Sequence, residues 1–527
     1  MPKTFNLAEV LPNSRTFMKQ LTILAVLVIA MSCSKDKLDF DMAKDIRFQP
    51  EIEAPLINAT LSLEDLEARD TNIVVDPDNA LRIKYTKDSL FYISASEFVK
   101  IPEQNPVSVS LQKSAPQLDT DIQLGTLGGV ELGQATFSAG FYVINLETTS
   151  PAVSAVDVEV TLKNAIQNGN PISKTVTLST GETFAKDSID LSNIEFDFTG
   201  GQQKVNYIGM SMEVLNPSAM APSSSIEVIT QFKRLGLEEA TGFFGQRSIN
   251  IPGSSLDLDI SGLDDLVNGL YLTEPKLTLN TSSTLGANLS MNLDLDGINS
   301  KGDVVSLDAG NKPIAAADDP ITPKQNSITF DKSNSNIADF LANIPAEVLY
   351  SGKVELNPSG MANNFITKNS GVKVGVDVDV PLRLRADNMQ LDKILDDIDF
   401  FSENPEEVEA LTLIFYTDNG FPFDMFVDVQ FLEINTGDSI QGFQLPLLKA
   451  APVDGSGRVT SNAPVERLEV TFTAEMLDRI QHADKLRFVG KISTANSGSQ
   501  VATLYTDYEL GIRIAARVKL NVKLNDE

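Results

Sequence analysis

The chain carries one thiol and one imidazole, Cys33 and His482, so its candidates for nucleophilic or metal chemistry can be weighed one at a time. A solitary thiol forms no internal disulfide, and stability outside the cytoplasm would have to come from core burial. A single histidine leaves no spare base for a His-based triad and rules against a His-rich metal centre. His482 lies in Ile480-Gln481-His482-Ala483-Asp484, near the end of a short predicted helix, where a cation complements the helix dipole. Hard oxygen ligands occur in Asn292-Leu293-Asp294-Leu295-Asp296-Gly297, with Asp303 later. Oxygens at alternate positions before a glycine turn resemble the start of a calcium loop. The same alternation describes a strand with exposed acids, and that reading is preferred. Internal copies of this stretch place Thr161 and Lys163, or Val429 and Phe431, where Asp294 and Asp296 stand. Asn292, Asp294, Asp296 and Asp303 are thus a weak calcium candidate in a chain expected to hold no metal and no cofactor. There is no nucleophile elbow, P-loop or zincin motif, and Gly125-Thr126-Leu127-Gly128-Gly129 lacks the helix that a dinucleotide site requires. No catalytic residue is assigned.

The surroundings of Cys33 are more specific. Met18-Lys19-Gln20 gives a short basic start, Leu21 to Met31 a mostly apolar run, and Ala30-Met31-Ser32 the small residues of a signal-peptidase site. This is the layout of a secretory signal ending at a cysteine. It resembles the signal of a bacterial, Bacteroidota-type outer-membrane lipoprotein, with Ala30 where that family usually has Leu. The apolar run is too short to span a bilayer as a helix. The resemblance implies a signal peptide over 1–32 and a lipidated tether over 33–44; because Met1 to Phe17 lack apolar periodicity, translation is expected to start at Met18. Cys33 would carry the acyl chains, and two or more chains anchor stably where one does not. By the same resemblance, Ser34 after the cysteine implies sorting to the outer membrane. Asp36, Asp39 and Asp41 only weakly resemble the acidic tether of surface-exposed members, so the membrane face stays open.

Composition bounds the partners. With 42 basic against 72 acidic residues the net charge is −30, and removal of the leader moves it to −32. Such a chain repels nucleic acid and anionic head groups. Hydrophobic content of 42% and charged content of 22% are ordinary for globular domains, so the acidity is a solvated surface. The lack of tryptophan lowers the weight of an aromatic-platform glycan site.

The elements that must carry these residues are strands. Val372, Val374, Val376, Val378 and Val380 alternate with Lys373, Gly375, Asp377 and Asp379, predicting a strand with one buried and one wet face. Similar alternation runs through 157–162, 290–295 and 426–431. Short helices are predicted at Ile337-Phe340-Leu341, at Met476-Leu477-Ile480, at 263–270, and at 389–401 behind an Asp387-Asn388 cap.

The chain also repeats itself. Glycines 169, 302 and 437 follow similar alternating strands, and glycines 209, 352 and 490 recur further on at nearly the same period. Leu215-Asn216-Pro217-Ser218 and Leu356-Asn357-Pro358-Ser359 follow two of the latter and read as turns leaving a strand. Tyr207 and Tyr350, just upstream, are expected at a sheet edge. The fold class is therefore all-β, with tandem sandwich-like modules and a few short junction helices. The modules span 141–250, 271–386 and 409–527, after an N-terminal β region over 45–140. The function expected is a lipid-anchored cell-envelope protein with a non-enzymatic binding, scaffold or adhesion role. Its partners would be the membrane and an envelope protein. A carrier of lipid or another apolar ligand is the first alternative, and an extracytoplasmic hydrolase the second.

Overall fold

The computed structural model describes residues 47–63, 72–199, 204–258, 266–267, 269–395, 408–433 and 436–523. The signal peptide and the tether through residue 44 lie outside the described residues. Four strands come first: β1 (Glu51–Ser62), β2 (Leu81–Ser94), β3 (Val107–Gln112) and β4 (Gln117–Gln123). A six-strand run follows: β5 (Glu131–Glu147), β6 (Val156–Gln167), β7 (Asn170–Leu178), β8 (Phe184–Asp190), β9 (Tyr207–Val214) and β10 (Ser225–Phe243). After β11 (Arg247–Asp257) comes a second run, β12 (Lys276–Ser283), β13 (Leu289–Ile298), β14 (Val304–Leu307), β15 (Asn311–Ile314), β16 (Lys324–Phe330), β17 (Glu347–Leu356), β18 (Asn364–Thr367) and β19 (Gly371–Pro381). After β20 (Met389–Leu395) comes the third: β21 (Val408–Asn419), β22 (Phe423–Glu433), β23 (Ser439–Leu448), β24 (Glu466–Thr473), β25 (Ala483–Thr494) and β26 (Glu509–Leu520).

The three runs share one topology. In the first, the strand orders are β3-β10-β5-β8 and β4-β9-β6-β7, linked into one sheet where the short strand Glu195–Asp197 pairs with both β5 and β6. In the second they are β2-β19-β12-β16 and β11-β17-β13, with β14 and β15 on the far side of β13. In the third they are β1-β26-β21-β24 and β20-β25-β22-β23. Each time, the hairpin of the second and third strands takes its neighbour from a strand further along. The sheets pair face to face because each strand buries alternate residues. In the first sandwich Tyr142 of β5 is fully buried and its hydroxyl donates to Met210 Sδ of β9. Its ring packs on Phe232 of β10 at 4.6 Å. In the second, Tyr350 of β17 donates to the Leu90 carbonyl of β2 at 2.7 Å. Tyr350 thus sits on an inner strand, flanked by β11 and β13, and not at the expected edge. In the third, Phe472 of β24 lies edge-on to Phe431 and Phe443 of the opposite sheet, over a core that includes Val427, Val429 and Leu486.

The repeated glycines have distinct physical reasons. Gly169, Gly302 and Gly437 close the β6–β7, β13–β14 and β22–β23 hairpins, with φ of +82°, +88° and +72°. An L side chain pays in that region even where space is open, as it is at all three. Gly352 and Gly490 stand opposite Leu293 and Val427 of the preceding hairpin strand. A Cβ on Gly352 would meet the Asn292 carbonyl oxygen at 2.2 Å.

The N-terminal strands complete the three sandwiches in reverse order. β1 pairs with β26 in the third, β2 with β19 in the second and β3 with β10 in the first. The chain falls into two compact units. One is built from 83–258 and 274–380 and holds the first two sandwiches, joined where β10 pairs with β18. The other is built from the described parts of 1–82, 259–273 and 381–527 and holds the third.

Helices form at Ile337–Ala342 and Ala474–Ile480, where they were expected; Thr473 caps the second by accepting from the Met476 amide. The expected helix over 389–401 is instead a strand over 389–395, its remainder lying outside the described residues. Asn388 has φ +52°, which a helix N-cap does not adopt, and its amide donates to Ser493 Oγ at 2.9 Å. The turn therefore launches β20 along β25. The helix expected over 263–270 likewise gives way to short strands at 266–267 and 270–272, separated by Gly269 at φ +74°. Its first residues lie outside the described ones.

Candidate functional site

The residues picked out by sequence do not converge. Cys33 lies outside the described residues. Asn292, Asp294 and Asp296 lie on one face of β13 rather than in a loop, facing Lys353, Ser351 and Leu349 of β17 in register. Their backbone spacing spreads the side chains by about 7 Å per step. Asp296 accepts from Ser306 Oγ, and Asp303 in the following turn accepts from Asn299 Nδ2 at 3.1 Å. Among the described residues no group of three or more Asp, Glu, His or Cys is placed to hold a metal ion. His482 follows the helix Ala474–Ile480; its amide donates to the Arg479 carbonyl and its Nδ1 lies 3.1 Å from the Asp478 carbonyl, at a helix end as expected. Asn216 clamps the start of β6, accepting from the Asp157 amide and donating to the Ala155 carbonyl. Asn357, 2% exposed, exchanges amide hydrogen bonds of 2.9 and 3.1 Å with Asn364 and donates to the Gly245 carbonyl. Both Asn-Pro turns therefore serve the fold.

One concavity was not foreseen. It is a cleft of about 270 Å³ on the outer face of the β2-β19-β12-β16 sheet. Its lining is polar: Asn280 and Ser282 of β12, Gln325 of β16, Lys373, Gly375 and Asp377 of β19, and Thr86, Lys87 and Asp88 of β2. Register sets the floor. Ser282 stands between Gln325 and Lys373, and Asn280 between Ser327 and Gly375. Inward positions of the same strands are Leu277, Leu279, Val374, Val376 and Val378, so core burial forces the polar set outward. Gln325 Nε2 donates to Ser282 Oγ at 3.0 Å, Ser327 Oγ to Asn280 Oδ1 at 2.7 Å, and Asn280 Nδ2 to Asp377 Oδ2. The side chains of Lys87, Lys373 and Asp88 make no ion pair or hydrogen bond among the described residues. Two ammonium groups and two carboxylates leave the cleft formally neutral. Gly375 allows the backbone of β2 to lie close beside β19: a Cβ there would lie 2.9 and 2.8 Å from the carbonyl oxygens of Lys87 and Asp88. A glycine on the wet face of a valine-alternating strand was the available signal, since such a glycine marks close backbone approach.

The corresponding face of the third sandwich is filled. Arg467 and Arg513 lie over the Tyr416 ring at 5.8 and 5.6 Å, and Arg517 pairs with Glu53 at 3.0 Å. Ile414, which shares that face, is wholly covered. The concavity in the second sandwich thus follows from its short outward side chains, not from the shared topology.

No family model and no curated protein matches the chain. Among solved structures, a Parabacteroides distasonis protein provisionally described as secreted aligns over 89% of this chain and 99% of its own, at 11% identity and TM-score 0.27. PNGase F, a glycosylasparaginase from Flavobacterium meningosepticum, aligns over 53% and 96%, at 9% identity and TM-score 0.17. A structure of the infectious bursal disease virus Gx strain aligns over 85% and 82%, at 9% identity and TM-score 0.14. At these scores none of the overlaps establishes a common fold or a function. The class of protein defined by the strands themselves is all-β, with three sandwiches of one topology.

Proposed function

We propose that this is a lipid-anchored protein of the bacterial cell envelope with a non-enzymatic binding or scaffold role. The observation that carries the reading is the position of Cys33, the sole thiol, directly behind the apolar run Leu21–Met31. The fold is consistent with such an attachment. The short strand Arg47–Phe48 pairs with Val522–Lys523, and β1 then runs along β26. Fourteen residue steps from Cys33 to Arg47 reach at most about 50 Å when extended. An acylated Cys33 would therefore keep the third sandwich close to the bilayer surface. The membrane, through that lipid, is one partner, and an envelope component is the other. Growth of the producing cell with radiolabelled palmitate tests the anchor. Label should enter the wild-type protein and be absent from Cys33→Ala; equal labelling of both would defeat the proposal.

A further inference from the structure

We infer that the cleft on the outer face of the β2-β19-β12-β16 sheet binds a neutral, hydroxyl-rich ligand of saccharide type. The inference rests on the non-enzymatic binding role above and names the ligand class. Four observations carry it. The walls combine obligate donors, Lys87 and Lys373, with obligate acceptors, Asp88 and Asp377. Amides and hydroxyls that do both, Asn280, Gln325 and Ser282, lie between them. A sugar hydroxyl donates and accepts at once, so it suits a wall where the two kinds of group are neighbours. The side chains of Lys87, Lys373 and Asp88 have no partner among the described residues and stay available to a ligand, whereas Asp377 is oriented by Asn280.

Charge narrows the choice. The cleft is formally neutral and belongs to a chain of net charge −30, whose field disfavours an anion. No aromatic ring lines it, so recognition falls to hydrogen bonds and not to stacking on a ring face. Its volume of about 270 Å³ is the share of about nine liquid waters, the scale of a small saccharide and not of a lipid tail.

Saturation-transfer NMR on the purified full chain tests this, with maltose, cellobiose, mannobiose and chitobiose as probes and galacturonic acid and inorganic phosphate as anionic comparisons. At least one neutral disaccharide should receive saturation, and neither anion should. Binding should weaken about tenfold or more in Lys373→Ala and in Asp88→Ala, as expected for loss of a hydrogen bond to a charged group. Both side chains are exposed, and unchanged circular dichroism would confirm that each variant folds. Lys332→Ala, outside the cleft, should bind as the wild type does. No transfer to any neutral probe, a preference for the anions, or undiminished binding in both cleft variants would overturn the ligand class while leaving the anchor untouched. Reducing ends released from a bound probe would support the ligand class and overturn the non-enzymatic reading instead.

Discussion

The pairing of β1 with β26 joins residues 447 to 468 positions apart, and a disulfide across it gives a sharp test. Asn58 stands directly opposite Arg513 on the outer face of the third sandwich. Directly opposed residues of an antiparallel pair have Cβ atoms about 4.5–5.5 Å apart, close enough for a disulfide after a small adjustment. Asn58→Cys with Arg513→Cys should therefore oxidise spontaneously once the protein is folded. The closed loop spans 455 positions. The chain-entropy relation then gives about 6 kcal/mol at 25 °C. Arg513 also loses its place over the Tyr416 ring, a cost of about 0.5–1 kcal/mol. Engineered bridges commonly deliver less than the ideal, so a net gain of about 2–5 kcal/mol is expected. The assays are gel mobility without reductant and denaturant melts with and without it. Asn58→Cys with Ile512→Cys is the control, because a one-residue slip places the two side chains on opposite faces. Free thiols in the first variant, or equal crosslinking in both, would refute the register and the N-terminal completion of the third sandwich.

Three further outcomes follow from particular contacts. Gly169→Ala, Gly302→Ala and Gly437→Ala should each cost about 1–2 kcal/mol in denaturant melts, because only the positive φ opposes them and space does not; asparagine at the same positions should recover part of that loss. Asn357→Ala should cost about 1–3 kcal/mol, since it removes both bonds exchanged with the buried Asn364 amide, which keeps only Phe244 and Gly286, and the donor to the Gly245 carbonyl; a near-neutral melt would remove the clamp from the account. Asp454 is held below its ordinary value of 3.8 by the Ser456 hydroxyl and then by the Arg458 amide, and Asp190 by Ser192. A lowered folded-state pKa contributes stability above the unfolded value and loses it as pH falls through the folded one. Thermal melts should therefore show these contributions intact above about pH 4 and declining below it, with a shallower acid decline in Asp454→Asn.

What the sequence made legible was whatever local periodicity decides. The valines of 372–380 alternate, and all five are buried in β19. Glycines 169, 302 and 437 marked the hairpins because their backbone conformation selects glycine locally. The helix Ala474–Ile480 was visible because the apolar spacing of Met476, Leu477 and Ile480 lies within one short stretch. Leu391, Ile394 and Leu395 show the limit of that logic. Their spacing fits a helix, but the left-handed Asn388 and the waiting edge of β25 decide for a strand, and neither is a local pattern. The assignment of β1, β2 and β3 to three different sandwiches was equally hidden, because each partner lies far along the chain. The cleft was hidden for the same reason. Thr86, Lys87 and Asp88 meet Asn280, Gln325 and Lys373 only after β2 has joined β19.

The anchor at Cys33 is the claim on which location and role depend. Mass spectrometry of the native protein extracted from its own membranes measures it most directly. The account predicts that the mature chain begins at Cys33 and carries a diacylglyceryl group on its sulfur. A mature chain beginning elsewhere, or a free thiol at Cys33, would contradict it.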